Sequence, residues 1–277
     1  MNIYAFADEA SPLIDSQILA MKRNKLQGLE IRNVDGTNVS EISIHKAKEV
    51  KSKLDANGLC VWSIGSPIGK TTIGCDDFSG HLELLRHTCE IANVMDTKNI
   101  RMFSFYYPKT ISPKDIRGEV IDRLGKMLEV AEQYGVNLCH ENEKGIYGDI
   151  AERCLDLHKT FTELKCVFDP ANFIQSGQDT VKAYEMLKDY VYYLHIKDAL
   201  YDGNVVPAGQ GVGNLPYILK EYIKRGGNAV TVEPHLKVFS GLEALEQAGE
   251  ESKIGITSYS SGDEAFDAAC VALKGML

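Results

Sequence analysis

The chain has 277 residues, 44% of them apolar, and a formal net charge of −9. That length suits one large barrel domain, and the apolar share is enough to fill a sizeable core. The acidic balance, with a pI near 5.3, argues against a nucleic-acid or anionic-membrane surface, which needs a basic patch, and the apolar runs are too short to span a bilayer.

In chain order, short β-rich runs recur at Ile3–Ala7, Gly28–Val34, Leu59–Ile64, Ile100–Phe105, Val136–His140, Cys166–Phe168, Tyr192–Ile196 and Ala229–Val232. The segments between them have helical spacing. The clearest is Asp115–Tyr134, where Ile116, Val120, Leu124, Met127, Leu128 and Ala131 recur at steps of three and four. His81–Val94, Leu215–Lys224 and Glu264–Leu273 repeat the pattern. Ser112-Pro113 reads as an N-cap with a first-turn proline, and Gly135 as the stop; Asn57-Gly58 and Gly226-Gly227 end two other helices. Eight strands, each followed by a helix, form a right-handed βα series that closes as a barrel or stays open as a doubly wound sheet. The count of eight favours closure: the expected fold is α/β, a (β/α)8 TIM barrel, one domain over 1–277.

The N-terminal MNIYAFADEASP lacks a basic stretch followed by an apolar one, so no secretory signal is expected. Seven cysteines, at 60, 75, 89, 139, 154, 166 and 270, include no CxxC pair and fit reduced thiols in a cytoplasmic protein.

Active sites of such barrels sit at the C-terminal strand ends. Strand five ends in Leu138-Cys139-His140-Glu141-Asn142-Glu143, strand six in Val167-Phe168-Asp169-Pro170-Ala171-Asn172, strand seven in Leu194-His195-Ile196-Lys197-Asp198, and strand eight in Val232-Glu233-Pro234-His235. Four consecutive strands thus end on groups able to bind a cation. A strand-end acid taken alone is most simply a helix N-cap or a surface charge. Acids gathered at one mouth repel, and burying them unpaired costs several kcal/mol each. A divalent cation removes that cost; carboxylates and imidazole suit Mn²⁺, Mg²⁺, Co²⁺ or Zn²⁺.

The series GVNLCHEN, VFDPAN, YLHIKDA and TVEPH resembles the xylose-isomerase-like sugar isomerase/epimerase superfamily of TIM barrels, whose members include ketose 3-epimerases, hydroxypyruvate isomerase, inosose dehydratase and the endonuclease IV group. The resemblance implies that Glu141, Asp169, His195 and Glu233 hold one divalent metal, manganese foremost. It also implies that Glu141 and Glu233 exchange the substrate proton on opposite faces, and that a dimer or tetramer forms. Two positions depart from the pattern. Asn172 stands where many members have histidine, and Tyr201 stands where epimerases place arginine.

The chemistry follows from electrostatics. A sugar carbonyl and its neighbouring hydroxyl chelate the cation, which acidifies the adjacent carbon for a nearby carboxylate to deprotonate. Reprotonation of the enediolate at the other carbon isomerises the sugar, reprotonation on the other face epimerises it, and loss of a β-substituent makes the enzyme a lyase. The expected ligand is a small sugar or sugar derivative, with isomerase or epimerase action first. A dehydratase or 3-keto-glycoside lyase comes second, and a barrel that binds sugar without turnover comes last. Phosphodiester cleavage would need further histidines and a basic surface.

Further candidates line the mouth. Glu30 and Arg32 in LEIRNVDG, at the end of strand two, are substrate contacts or a strand-end or surface ion pair. Trp62, the single tryptophan, is a core residue or a sugar-stacking ring. Lys70, after Ser66 in SPIGK, holds a substrate group or is a solvated lysine. GSPIGK lacks P-loop spacing, and the GxGxG of Gly209–Gly213 follows strand seven rather than strand one, so neither reads as a nucleotide loop. By strand parity Lys197 shares His195's side and His235 shares Glu233's. Both are expected to reach substrate, as is Asn172, and His235 is a second acid–base candidate. Glu143 would share Glu141's side, while His140 would point outward into the helices. His45, His81, His87 and His158 fall in or beside helices and read as packing or surface residues.

Overall fold

The computed structural model describes residues 1–74, 76–242, 253–255 and 257–277. Eight parallel strands close a barrel: β1 Asn2–Ala5, β2 Gly28–Ile31, β3 Cys60–Gly65, β4 Asn99–Met102, β5 Asn137–Glu141, β6 Lys165–Phe168, β7 Val191–Ile196 and β8 Ala229–Val232. Each pairs with its sequence neighbours, and β1 seals the ring against β8, with Asn2 opposite Ala229 and Ala5 opposite Val232. The helices are α1 Ile14–Arg23, α2 Ile44–Ala56, α3 Phe78–Val94, α4 Pro113–Tyr134, α5 Ala151–Thr160, α6 Pro170–Gln175, α7 Thr180–Leu187, α8 Leu215–Lys224 and α9 Gly262–Lys274. The β6–β7 connection therefore holds two helices where the one-helix rhythm of the sequence predicts one.

Local chemistry sets these boundaries. Ser112 accepts a hydrogen bond from the Lys114 N–H, Pro113 opens α4, and Gly135 closes it at φ 65°, a left-handed conformation open to glycine. The face of α4 carrying Ile116, Val120, Leu124, Met127, Leu128 and Ala131 is buried, which accounts for its helical spacing. On the strands, alternate residues face outward and pack under the helices: Leu29, Leu138, Leu194, Val230 and Val232 belong to that shell.

The barrel interior is separate. Its lower layer joins Tyr4, Cys139, Val167, Tyr193 and Ala229, with Trp62 and Tyr192 packed against them. Two irregularities shape it. Leu29 and Glu30 of β2 stand opposite Val61 and Ser63, skipping Trp62, and Cys166 and Val167 of β6 stand opposite Val191 and Tyr193, skipping Tyr192. The extra residues stack on each other, Trp62 on Tyr192 at 5.7 Å, as bulges at barrel interiors re-aim side chains.

Cys75 lies outside the described residues, and the six other cysteines are free thiols. No helix among the described residues is long and apolar enough to cross a membrane.

Candidate functional site

The ends of four successive strands, β5 to β8, deliver polar groups to the barrel mouth. On β5 the parity that puts Leu138 and His140 outside puts Cys139 and Glu141 inside; His140 meets Ser104 Oγ at 2.9 Å and stacks edge-on against His158. Asp169 follows β6 and caps α6: its Oδ1 accepts from the Asn172 N–H at 3.0 Å, with Pro170 in the first turn. That leaves Oδ2 to face the interior, where it is buried without a hydrogen bond. Tyr193, His195 and Lys197 follow one another along the inner face of β7, and Glu233 extends β8 beyond Val232. One oxygen or nitrogen from each of Glu141, Asp169, His195 and Glu233 lies within 4.8 Å of all the others, and all four residues are buried.

His195 Nδ1 is 3.0 Å from Glu141 Oε1, 3.5 Å from Glu233 Oε2 and 4.0 Å from Asp169 Oδ2. One imidazole N–H cannot satisfy three carboxylates. Donors about 2.1 Å from a shared ion stand roughly 3 to 3.5 Å apart, so the donor set and its spacing fit one divalent cation. Asp169 Oδ2, which has no hydrogen bond, is the atom such an ion would satisfy. Charge supports the same fit. Among the described residues, Asp8, Glu9, Glu30, Glu141, Asp169 and Glu233 are buried here against Arg32, Arg101 and Lys197. With His195 neutral, as a metal ligand is, the excess of three negative charges makes a cation favourable.

The protonation pattern carries the strain of that excess. Burial, with Glu233 and Glu141 adding to it against the pull of Lys197, pushes Asp169 up to about 7. Burial also acts on Glu233, but Lys197 and then His235 outweigh it and hold that carboxyl well below its usual range. His195 is raised well above its ordinary value, because Glu141 and Glu30 overcome the penalty of burial.

Lys197 Nζ lies 3.0 Å from Glu233 Oε2, to which it donates, and 3.0 Å from Asp169 Oδ2, where hydrogen-bond alignment is lacking. It stands beside the carboxylates, where it could meet a bound molecule. Arg32 is not at an exposed strand end and is not paired with Glu30. It is 1% exposed and binds Asp8 at 2.8 Å, Glu9 at 3.0 Å and Glu233 Oε1 at 3.4 Å, so it steadies Glu233 from behind. Asn172 directs its amide to Glu141 Oε1 at 3.2 Å and the Asn142 carbonyl at 2.9 Å; it orients Glu141 rather than facing a ligand. His235 Nδ1 is 3.0 Å from Glu9 and 3.7 Å from Glu233. Glu9, Glu233 and His235 form a second compact group, but the Arg32 guanidinium already supplies its positive charge. Lys70 Nζ pairs with Glu143 at 3.0 Å and sits over the Phe103 ring, so Glu143 has a partner other than Glu141's neighbours.

Trp62 is not brought to the mouth. It stacks on Tyr4 with centroids 4.9 Å apart and meets Tyr193 edge-on in the lower layer. Tyr201 is 90% exposed in the turn between Ala199 and Val205, away from the carboxylates.

Sequence reading missed Arg101, Asp8 and Glu9, and took Glu30, together with Arg32, as a substrate contact or half of an ion pair. Arg101 lies 3.4 Å from Glu141 Oε2 and 3.9 Å from Glu30 Oε1. The signal was available: a charged residue between Ile100 and Met102 inside a strand must face the polar interior. Asp198 was also passed over. Its carboxylate accepts backbone N–H groups from Ala199, Gly209, Gly211 and Gly213 at 2.8–3.0 Å. The GxGxG loop thus forms an anion nest already filled from within.

A family model described as a xylose isomerase-like TIM barrel matches residues 19–253. No curated protein matches the sequence. Among solved structures, the probable 3-DHS dehydratase AsbF from Bacillus anthracis is similar with a TM-score of 0.75 at 17% identity, over 99% of each chain. D-psicose 3-epimerase with D-fructose also has a TM-score of 0.75, at 14% identity over 99% of this chain and 98% of that one. The IOLI protein with a binding zinc atom has a TM-score of 0.73 at 17% identity, over 100% and 98%.

Proposed function

The chain belongs to the xylose isomerase-like TIM barrel family, and from that premise we propose that it is a divalent-metal-dependent isomerase or epimerase of a sugar or keto-sugar. The observation that carries the reading is the buried arrangement of Glu141, Asp169, His195 and Glu233, with one nitrogen facing three carboxylates and one carboxylate oxygen left without a hydrogen bond. These four would hold the cation, with Mn²⁺ proposed first. When bound, it would supply Lewis-acid polarisation of a carbonyl and acidify the carbon beside it.

The protein's own groups do the rest. Glu141 and Glu233 come from β5 and β8, on either side of His195, so each is proposed to serve one face of the substrate carbon. One removes the proton and the other returns it, which inverts the centre. Arg101 behind Glu141 and Arg32 behind Glu233 hold the two carboxylates in place. Position matters more than intrinsic basicity for such transfers. Lys197 donates to Glu233 and is set to hold a developing oxyanion.

Dehydration is the second reading, and Lys197 and Asn172 favour it. An ammonium beside the carboxylates can protonate a departing hydroxyl, so that proton abstraction by a glutamate and loss of water balance. Asn172 cannot titrate, which removes one proton carrier from an epimerase. Incubating the Mn²⁺-loaded protein with ketohexoses and keto-glycosides in D₂O, followed by NMR, separates the two. Deuterium beside the carbonyl with an intact hydroxyl count supports isomerisation or epimerisation. Loss of water or of an aglycone supports the lyase and sinks the first reading.

A further inference from the structure

The geometry points to Glu30 as a positioning residue that decides which ring nitrogen of His195 faces the cation. The inference rests on the metal reading above. His195 has two nitrogens in unlike surroundings. Nδ1 looks toward Glu141, Glu233 and Asp169. Nε2 looks the other way and meets Glu30 Oε2 at 3.1 Å. A neutral imidazole that ligates an ion through Nδ1 must keep its proton on Nε2, and the acceptor placed at Nε2 makes that tautomer the stable one.

Glu30 is built for this single contact. It is fully buried and crosses the barrel interior from β2 to reach β7. Its other oxygen accepts from the Tyr193 hydroxyl at 2.8 Å, so the carboxylate is held from both ends and cannot swing away from the ring. The β2–β3 bulge sets Glu30 opposite Ser63, whose hydroxyl also lies near that of Tyr193, at 3.5 Å. Arg101, 3.9 Å away, keeps the buried charge from being isolated. Phe6 covers the His195 ring edge-on at 5.3 Å. A carboxylate bonded to the far nitrogen raises the basicity of the near one, and removing such a partner weakens metal binding by about 10–100-fold.

The test uses the full-length protein and Co²⁺ alone as the probe, with affinity read by calorimetry and ligand geometry by the visible absorption of the bound ion. Glu30→Gln keeps the volume but replaces the charged acceptor with an amide. It should weaken Co²⁺ binding by about 10–100-fold and shift the visible bands, while the metal-free melting temperature stays close to wild type. Tyr193→Phe, which removes the hydroxyl that steadies Glu30 but keeps the Glu30–His195 contact itself, should weaken Co²⁺ binding by less than Glu30→Gln does. If Glu30→Gln does not fold, Glu30→Asp replaces it with the same expectation, because it retains the charge but draws it one methylene back from Nε2. A folded Glu30 variant with wild-type affinity and spectrum overturns the assignment while the metal reading stands. Wild-type protein that binds no Co²⁺ overturns both.

Discussion

At the scale of single residues, the two glutamates proposed as acid and base can be told apart by what they lose. Glu141→Gln and Glu233→Gln should each lower kcat by about 10²–10⁴-fold, the usual contribution of a positioned proton-transfer group. If they serve opposite faces, one variant should still exchange substrate hydrogen with D₂O without inverting the centre, since abstraction and return on one face remain open to it. If one variant keeps inverting the centre while the other loses all exchange, both steps belong to a single group. Behind Glu233, Arg32 is buried with three acids around it, and Arg32→Met should cost about 3–5 kcal/mol, as breaking one side of a buried ion cluster does, measurable by urea unfolding. The residues that sequence reading found and missed differ in kind. Glu141, Asp169, His195 and Glu233 were accessible because each ends a strand and alternation alone aims it inward. Trp62 was not, because it is the extra residue of the β3 bulge, which breaks the alternation on which such reading depends; Glu30 obeys the alternation, between Leu29 and Ile31 of the outer shell, but its partner His195 lies on a distant strand. Arg32's true partners, Asp8 and Glu9, come from another strand end, a pairing that no local pattern encodes.

At the scale of elements, the loop after β7 is tied down by one carboxylate. A Cβ added at Gly211 would lie 2.3 Å from Asp198 Oδ1 and one at Gly213 2.6 Å from the same atom, so the glycines exist to let the chain close around it. Gly211→Ala should therefore destabilise the protein by about 1–3 kcal/mol, as overpacking does, and raise amide exchange in 205–213 above that of the other strand-end loops. Unchanged exchange there would show that the nest does not order the loop. This feature was hidden for a plain reason: GxGxG after strand seven marks a tightly shaped loop, and only the fold reveals the internal acid it is shaped around. The α5 region carries a pH dependence of its own. Burial lowers His158 to about 4 and holds the adjacent His140 well below its ordinary value. In the unfolded chain both titrate near 6.5, so below that pH the unfolded state binds more protons and stability falls until the folded value is reached. The stability these neutral rings provide is complete above pH 6.5 and is lost as pH drops toward 4. His158→Phe should flatten that acid limb in denaturation profiles relative to wild type.

At the scale of the whole molecule, the surplus of buried acid at the barrel mouth links stability to metal and to pH in opposite senses. Without an ion, Asp169 is raised to about 7, so the folded protein holds a proton there that the unfolded chain releases near its ordinary value. That contribution is present at low pH and is lost as pH rises through about 7. Metal binding needs the same carboxylate ionised, so the stabilisation it brings grows over the same range. At an ion concentration 100 times Kd, the gain is about 2.7 kcal/mol, roughly 5–10 °C in melting temperature for a chain of this size. The expected result is a large upward shift with Mn²⁺ at pH 8 that is reversed by chelator, and a small one at pH 5. The difference between loaded and stripped protein at each pH cancels the His158 contribution, which is common to both. Asp169→Asn should abolish the shift and its pH dependence together. If the shift persists in that variant, or is the same at both pH values, Asp169 is not a ligand, and the charge excess must be relieved by protonation instead.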